Sequence, residues 1–311
     1  MITFLSSPKP FSGILYKNQL NAIQSWINVH PNAEVILYGD SPGCKEVCAI
    51  LGIKHVDKIE CSPSGVPYFG AIVDHAQKYA LYDIQIYLNC DILLTQAILD
   101  AIKMVYFPRF LIVGQRIDLG EEANISFQKD NWHLYMATLI RNGYAKLHAP
   151  SGMDYFIFTR GLWDGMKPLV IGRAGYDSAL VSFCLKHSIP IIDATYMIPA
   201  LHQYHDYNHL KNKEKEVMSG VDAMNNQRMH EVVHSAPNII DATWQIYNGQ
   251  LIRNISRGDY LRHFESFLRY KKNLIFLSYV IRAIWRVLTG VRVYKPHQIE
   301  LSEVIEHMVR K

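Results

Sequence analysis

Three short groups of acidic and histidine residues, widely separated in the chain, have the chemistry needed to bind a metal ion and to move a proton. Asn89-Cys90-Asp91 follows an apolar run, Asp177 precedes a helical pattern, and His202 and His205 follow another short apolar run. Carboxylates and neutral imidazoles are ordinary ligands of divalent metal ions. Such an ion neutralises the negative charge that develops on an anionic leaving group. The residues therefore predict a metal site formed by Asp91, His202 and His205.

Asp177 is the candidate general base. It lies in Gly175-Tyr176-Asp177-Ser178, at the predicted start of a helix. A carboxylate at this position is kept ionised by the helix dipole and accepts a proton when a hydroxyl group is placed against it. Asp is also a common helix N-cap, and the two roles can coexist. Asp154, which ends a glycine turn before a strand, is the rival candidate for the base or for a contact with the second substrate.

The metal-site groups also have purely structural explanations. Asn and Asp are frequent where a strand ends in a turn, which alone would account for Asn89 and Asp91. A single histidine is more often a structural residue than a ligand, but three histidines lie between His202 and His209. His202 comes first after the apolar run and is therefore the preferred ligand, with His205 second.

Short apolar runs alternate with helical patterns along the first half of the chain, which is typical of a mostly parallel sheet wrapped by helices. Strands are predicted over residues 2–5, 35–38, 84–88, 110–113, 155–158 and 189–192, and helices over 18–29, 42–51, 67–80 and 178–186. In such sheets, ligands bind beyond the carboxyl ends of the strands. Ser6, Asp40, Asn89 and Arg116 all follow predicted strands and are therefore expected at that edge.

The chain order Asp91, Asp177, His202 resembles that of GT-A fold glycosyltransferases of the family 2 type, and the resemblance extends over residues 2–209. It implies a Rossmann-like α/β fold and transfer of a sugar from a UDP- or GDP-sugar donor to a glycan, lipid-linked or protein acceptor. It also implies a Mn²⁺ or Mg²⁺ cofactor and an inverting displacement in which Asp177 deprotonates the acceptor hydroxyl. Asn89 and Tyr176 depart from the family pattern, because acidic residues usually stand at both positions.

The same resemblance implies contacts with the donor. Ser6, Pro8 and Lys9 belong to a segment like the loop that covers the nucleotide base, and Asp40 lies where family members contact uracil or ribose. Asn89 can hydrogen-bond a ribose or a metal-bound water. The guanidinium groups of Arg116 and Arg173 match the geometry of a phosphate, although an ordinary ion pair is the commoner role of an arginine. The implied donor-binding residues are thus Ser6, Pro8, Lys9, Asp40, Asn89, Arg116 and Arg173.

Composition places the chain among ordinary globular proteins. Its 311 residues are 49% hydrophobic and 19% charged, with a formal net charge of +4, which does not favour nucleic acid as a partner. The five cysteines form no C-x-x-C pair, so a disulfide framework is not expected and a reducing compartment fits best. The N-terminus lacks the pattern of a signal peptide, and a cytoplasmic location is expected.

The C-terminal part is predicted to be helical, with a GT-A catalytic domain over residues 1–240 and a helical region over 241–311. In a helix over residues 271–289, Lys271, Ser278, Arg282 and Arg286 share one face and apolar residues form the opposite face. A basic amphipathic helix of this kind can lie on an anionic membrane, which would make the protein peripheral on the inner face. The alternative is that the apolar face packs on the catalytic domain or on a second subunit.

Two other functions compete with a transferase. His230-Glu231-Val232-Val233-His234 satisfies the H-E-x-x-H pattern of zinc metallopeptidases, but the Ser-Ala-Pro-Asn sequence that follows is expected to end the helix such a site needs. His263 or Glu265 would have to supply its third ligand. A non-catalytic module that binds a nucleotide or a sugar is the other alternative, suggested by Asn89 and Tyr176.

Overall fold

The structure is a computed structural model that describes residues 1–121, 123, 132–166, 168–205, 214–229, 236–254, 257–289 and 304–305. Its strands are β1 Ile2–Ser6, β2 Glu34–Tyr38, β3 Lys54–Val56, β4 Ile84–Leu88, β5 Ile92–Leu93, β6 Leu111–Leu119, β7 Ala145–Leu147, β8 Met153–Thr159, β9 Ile191–Asp193, β10 Ala200–His202, β11 Trp244–Tyr247 and β12 Gln250–Arg253. The main sheet has the order β3-β2-β1-β4-β8-β6-β9-β11-β12. Along this order, β8 pairs antiparallel with its two neighbours and β11 with β12, and the other pairs are parallel. Beside the main order, β5 pairs antiparallel with β10 and β7 with β6. The mostly parallel α/β sheet predicted from the sequence is confirmed.

Helices cover both faces of this sheet. They are α1 Gly13–Val29, α2 Cys44–Leu51, α3 Phe69–Tyr79, α4 Ala97–Lys103, α5 Trp132–Arg141, α6 Tyr176–Lys186, α7 Glu214–Ser219, α8 Val221–Met229, α9 Arg257–Arg269 and α10 Ile275–Thr289. One buried cluster joins α1, α2 and α4 to the sheet, and a second joins α3 and α6 to its opposite face. The strands are apolar on both sides because each side is covered, as expected for parallel strands with helical crossovers.

Strand β6 is longer than predicted and changes its partner midway. As far as Val113 it pairs with β9, and from Arg116 it pairs with β10, with a register shift against β8 near Gly114. A Cβ atom at Gly114 would lie 1.9 Å from the Tyr155 hydroxyl oxygen, so only glycine allows the two strands to approach this closely. Arg116 therefore lies within a strand, whereas the sequence pattern had placed it in the loop that follows.

The C-terminal part differs in one respect from the prediction of a helical region starting at residue 241. Strands β11 and β12 extend the main sheet through pairing of β11 with β9, so the helical stretch begins only at α9. Helix α9 contacts the body of the protein, because Arg262 pairs with buried Asp241 at 2.9 Å and Tyr270 shares a 3.0 Å hydrogen bond with Ser182 of α6. Among the helices that the structure describes, none has the length and apolar character required to cross a bilayer.

Helix α10 packs on α9 with its polar side inward. Ser278 and Trp285 are buried on this side, and Arg282 is partly buried there. The outward face is apolar and comprises Phe276, Leu277, Val280, Ile284, Val287 and Leu288. The predicted opposition of a polar and an apolar face is confirmed, but Trp285 lies in the helix interface and not at the margin of the exposed face.

Candidate metal centre and adjoining cavity

Asp91, His202 and His205 converge at the carboxyl end of β4. One potential ligand atom from each lies within 4.8 Å of the other two, and all three residues are buried. The Asp91 Oδ2 atom is 3.7 Å from His202 Nε2 and 3.6 Å from His205 Nε2. The structure thus brings together the three residues that the sequence predicted as ligands.

Backbone pairing and one buried glutamine position these ligands. Strand β10, which ends at His202, pairs with β5 just after Asp91 and with the second half of β6. Gln203 is buried between the two histidines, and its side chain donates to the carbonyl oxygens of Asn18 (2.7 Å) and Asp91 (3.2 Å). Its Oε1 atom accepts a hydrogen bond from Asn21 of α1 at 3.0 Å. Gln203 therefore fixes the segment after β10 against both α1 and Asp91.

The charge around Asp91 favours its ionised form. Burial raises the pKa of this carboxyl, but the hydrogen bond from His205 and the charges of His202 and Lys9 outweigh burial and lower the pKa well below its usual range. Its second oxygen, Oδ1, is buried without a hydrogen-bond partner among the described residues. A buried carboxylate oxygen with no partner is costly, and a cation would satisfy it. The donor set of one carboxylate and two imidazoles fits a divalent transition metal such as Mn²⁺.

A cavity of about 550 Å³ opens beside the metal centre. This volume lies in the range of small-molecule and cofactor sites. Six residues predicted for donor or metal binding line it: Pro8, Lys9, Asp40, Asn89, Asp91 and Arg173. The Lys9 ammonium is 3.9 Å from Asp91 Oδ2, and the Lys9 backbone is held by a pair of hydrogen bonds with the Gln19 side chain. Arg173 Nε is buried with no hydrogen-bond partner in the described part of the chain, and such a donor is satisfied by an anion.

Ser6 and Arg116 were also predicted to contact the donor, but neither lines this cavity. Ser6 is buried and donates a 2.7 Å hydrogen bond to the Leu88 carbonyl oxygen. Arg116 binds two carboxylates, Asp118 at 2.8 Å and Asp154 at 2.6 Å. Asp154 also accepts a 2.6 Å hydrogen bond from Asn89. These contacts give Ser6 and Arg116 structural partners, and their predicted contact with a donor stays untested.

Asp118 and His148 complete this network and were not identified from the sequence. Asp118 Oδ2 is 2.6 Å from His148 Nδ1, and Asp118 Oδ1 is 3.3 Å from His202 Nδ1. Burial raises the pKa of Asp118, but the two histidines and the charge of Arg116 lower it well below its ordinary value. Arg116 and Asp118 are two residues apart in a strand, so they lie on one face. This alternation of side chains could have placed Arg116 and Asp118 together, but the sequence pattern predicts a strand that ends at Val113.

Asp177 lies in the first turn of α6, as predicted. Gly175 precedes the helix with a positive φ of 88°, and the Asp177 carboxylate accepts a 2.9 Å hydrogen bond from the Ser178 amide. Burial, and to a lesser extent the charge of Asp154, raises the pKa of Asp177 to about 6. A carboxylate with this pKa is ionised at neutral pH yet basic enough to take a proton from a hydroxyl group in the transition state. Asp177 is not among the residues that line the cavity.

The H-E-x-x-H pattern cannot be compared with the metal centre. His230, Glu231 and His234 lie outside the described residues, as does His209. Of the two residues considered as a third zinc ligand, His263 hydrogen-bonds the Ala242 carbonyl oxygen at 3.0 Å, and Glu265 pairs with Arg269. His263 therefore has a partner in the body of the protein, and Glu265 has one within α9.

No protein-family model matches the chain, and no curated protein sequence matches it either. Solved structures resemble it at low identity. Residues 1–349 of S. aureus TarS with UDP-GlcNAc align with a TM-score of 0.48 and 12% identity, over 87% of this chain and 72% of that one. The mannosyltransferase PcManGT of Pyrobaculum calidifontis, in complex with GDP-Man and Mn²⁺, aligns with a TM-score of 0.46 and 11% identity, over 99% and 84%. Glucosyl-3-phosphoglycerate synthase of M. tuberculosis aligns with a TM-score of 0.43 and 11% identity, over 74% and 80%. Likenesses of this degree do not assign an activity to the chain.

Proposed function

We propose that the protein is a metal-dependent glycosyltransferase of the GT-A type that uses a nucleoside-diphosphate sugar. The observation that carries the proposal is the cluster of Asp91, His202 and His205, whose Asp91 also lines a 550 Å³ cavity together with Lys9, Asp40 and Arg173. The cavity has two features that a nucleoside diphosphate requires, namely basic groups for the phosphates and an acidic acceptor for ribose or base hydrogen bonds.

The three ligand residues would hold Mn²⁺, and the ion would neutralise the charge that develops on the departing diphosphate. Lys9 and Arg173 line the same cavity and would bind the phosphate oxygens. Asp40, two residues after β2, lines it as well and would accept hydrogen bonds from the ribose or the base. Two imidazole ligands favour Mn²⁺ over Mg²⁺, because Mg²⁺ prefers oxygen ligands and retains its waters.

Asp177 would be the general base. Its raised pKa and its place in the first turn of α6 support proton abstraction from an acceptor hydroxyl, with inversion at the sugar carbon. Asp154 is less suited to this role, because Arg116 and Asn89 already bind its two oxygens. The acceptor would be a glycan, a lipid-linked glycan or a protein.

A panel of UDP- and GDP-sugars tests the proposal by thermal shift and by release of free nucleoside diphosphate, each with Mn²⁺ and with excess chelator. We expect one donor to raise the melting temperature only with metal, since a ligand at a hundred times its Kd stabilises the folded state by about 2.7 kcal/mol. We expect that donor to be hydrolysed slowly or transferred. Binding without any turnover would favour the non-catalytic module, and no binding in the whole panel would contradict the proposal.

The apolar outer face of α10 supports a further proposal, that the protein binds the inner face of an anionic membrane. Phe276, Val287 and Leu288 are all more than two-thirds exposed, and the exposed bases Lys271 and Arg286 lie on the same helix or just before it. An apolar face flanked by basic residues is typical of helices that lie in the interface of anionic bilayers. Such a location suits an enzyme that acts on a lipid-linked acceptor.

We expect the protein to sediment with anionic vesicles in low salt, and the variant Phe276→Asp/Val287→Asp to lose this binding while keeping its melting temperature. Both side chains are exposed in the free protein, so the introduced aspartates remain in water and do not disturb the core. Transfer of their charges into the apolar part of a bilayer is unfavourable. Ile50→Asp is the matched control, because Ile50 is 76% exposed on the distant helix α2. Equal vesicle binding by the double variant and the wild type would contradict the membrane proposal.

A further inference from the structure

His202 contacts two carboxylates, one through each ring nitrogen. Its Nε2 atom faces Asp91 Oδ2 at 3.7 Å, and its Nδ1 atom faces Asp118 Oδ1 at 3.3 Å. The pairing of β6 with β10 produces the second contact, because Asp118 and His202 are direct partners in the register of the two strands. The side chain of His202 is almost completely buried, so water does not compete freely for either nitrogen.

Asp118 is itself held in place. Arg116 Nε contacts its Oδ1 atom at 2.8 Å, and His148 Nδ1 contacts its Oδ2 atom at 2.6 Å. Both oxygens are therefore used within the network. Asp118 is not among the three residues whose ligand atoms lie within 4.8 Å of one another, so it acts on the candidate metal centre through His202.

A carboxylate can only accept hydrogen bonds, so the nitrogen that faces it must carry the proton. Asp91 faces Nε2 as an acceptor as well, but the Asp118 contact is the shorter of the two, 3.3 Å against 3.7 Å, so in the neutral ring the proton lies on Nδ1 and Nε2 is left for an ion. Metal-binding histidines commonly have such a carboxylate partner on the second nitrogen, which fixes the ring and increases its basicity. We propose that Asp118 is a positioning residue that prepares His202 as a metal ligand. This inference rests on the proposed metal centre.

The Mn²⁺ affinity of the protein without donor, measured by calorimetry or by electron paramagnetic resonance of free Mn²⁺, tests the role of Asp118. We expect Asp118→Ala to weaken Mn²⁺ binding about 10- to 100-fold, the usual cost of losing an outer partner of a ligand. Asp118→Asn keeps the shape and removes the charge, so it decides the outcome if the Ala variant is unstable. His148→Gln is the matched control, because it removes a partner of Asp118 without touching His202, and we expect a smaller loss.

The tautomer of His202 gives a readout that a merely structural role would not change. In the metal-free wild type, two-bond ¹H–¹⁵N correlation spectra should show the His202 proton on Nδ1, and Asp118→Asn should move a measurable fraction to Nε2. If a folded Asp118→Asn or Asp118→Ala variant keeps the Mn²⁺ affinity and the His202 tautomer of the wild type, the proposed role of Asp118 is wrong. That result would leave the proposed metal centre intact. Failure of the wild-type protein to bind Mn²⁺ would instead overturn the metal centre on which it rests.

Discussion

Asp91→Asn is expected to abolish metal-dependent turnover and to reduce Mn²⁺ affinity by more than the roughly 10- to 100-fold that an outer partner contributes. Asp91 is the single carboxylate of the described cluster, because Asn89 supplies no charge. The two remaining imidazoles are neutral ligands and cannot balance a divalent charge. Calorimetric titration with Mn²⁺ and an assay of nucleoside diphosphate release measure the two effects. The fold should survive, since the amide keeps the shape of the carboxylate.

Asp100→Asn provides the control, because it makes the same change on the exposed surface of α4. It should leave metal binding and turnover unchanged. Full activity of Asp91→Asn, or of the wild type in excess chelator, would refute the role of a metal held at this position. A lowered melting temperature of metal-free Asp91→Asn would show that Asp91 also has a structural role, and Mn²⁺ titration below that temperature would then separate the two contributions.

Asp177→Asn is expected to lower kcat by about two to four orders of magnitude while leaving donor affinity nearly unchanged. The amide keeps the hydrogen bond from the Ser178 amide but cannot accept the acceptor's proton. The wild-type carboxyl has a pKa raised to about 6, so it is protonated as the pH falls through 6 and is ionised above it. The kcat/KM of the wild type should therefore rise with pH through about 6, and this acid limb should be absent from the residual activity of Asp177→Asn.

The rival base is tested by Asp154→Asn under the same conditions. Because Asp154 binds Arg116 and Asn89, its variant should disturb the site and yet retain a pH-dependent acid limb. If the acid limb of the pH profile is lost in Asp154→Asn but persists in Asp177→Asn, Asp154 is the general base and Asp177 is not. A product that retains the anomeric configuration of the donor would exclude the single-displacement mechanism for either residue.

The sequence was sufficient to predict the site residues that lie directly after apolar runs. Asp91 and His202 each follow an apolar run, and the carboxyl ends of neighbouring strands meet at one edge of the sheet. Asp118 could not be placed in this way, because its role depends on the extension of β6 past Gly114 and on the register of β10. Short strands that pair over long separations leave little local signal. The same holds for Arg116, whose ion pairs with Asp118 and Asp154 appear only in the tertiary structure.

For helix α10, the sequence predicted the helix but not which of its faces packs against the protein. The spacing of apolar residues correctly predicted an amphipathic helix over α10, but a hydrophobic pattern does not state which side faces inward. In this protein the polar side packs on α9, where Glu265 and Arg269 are buried as an ion pair, so the apolar side is left outside. Trp285 is buried on the inward side of the helix.

The pairing of β10 with the second half of β6 also constrains the order in which parts of the site can form while the chain is being synthesised. Asp91 is separated from His202 by more than a third of the chain, so a nascent polypeptide that ends before residue 202 lacks both imidazoles. Most of the cavity wall comes from residues 7–91, and that part of the sheet consists of the parallel strands β1 to β4. Contacts between neighbouring segments form faster than contacts between distant ones. During synthesis, most of the cavity wall can therefore form before the three candidate metal ligands come together, which requires that β10 has joined the sheet.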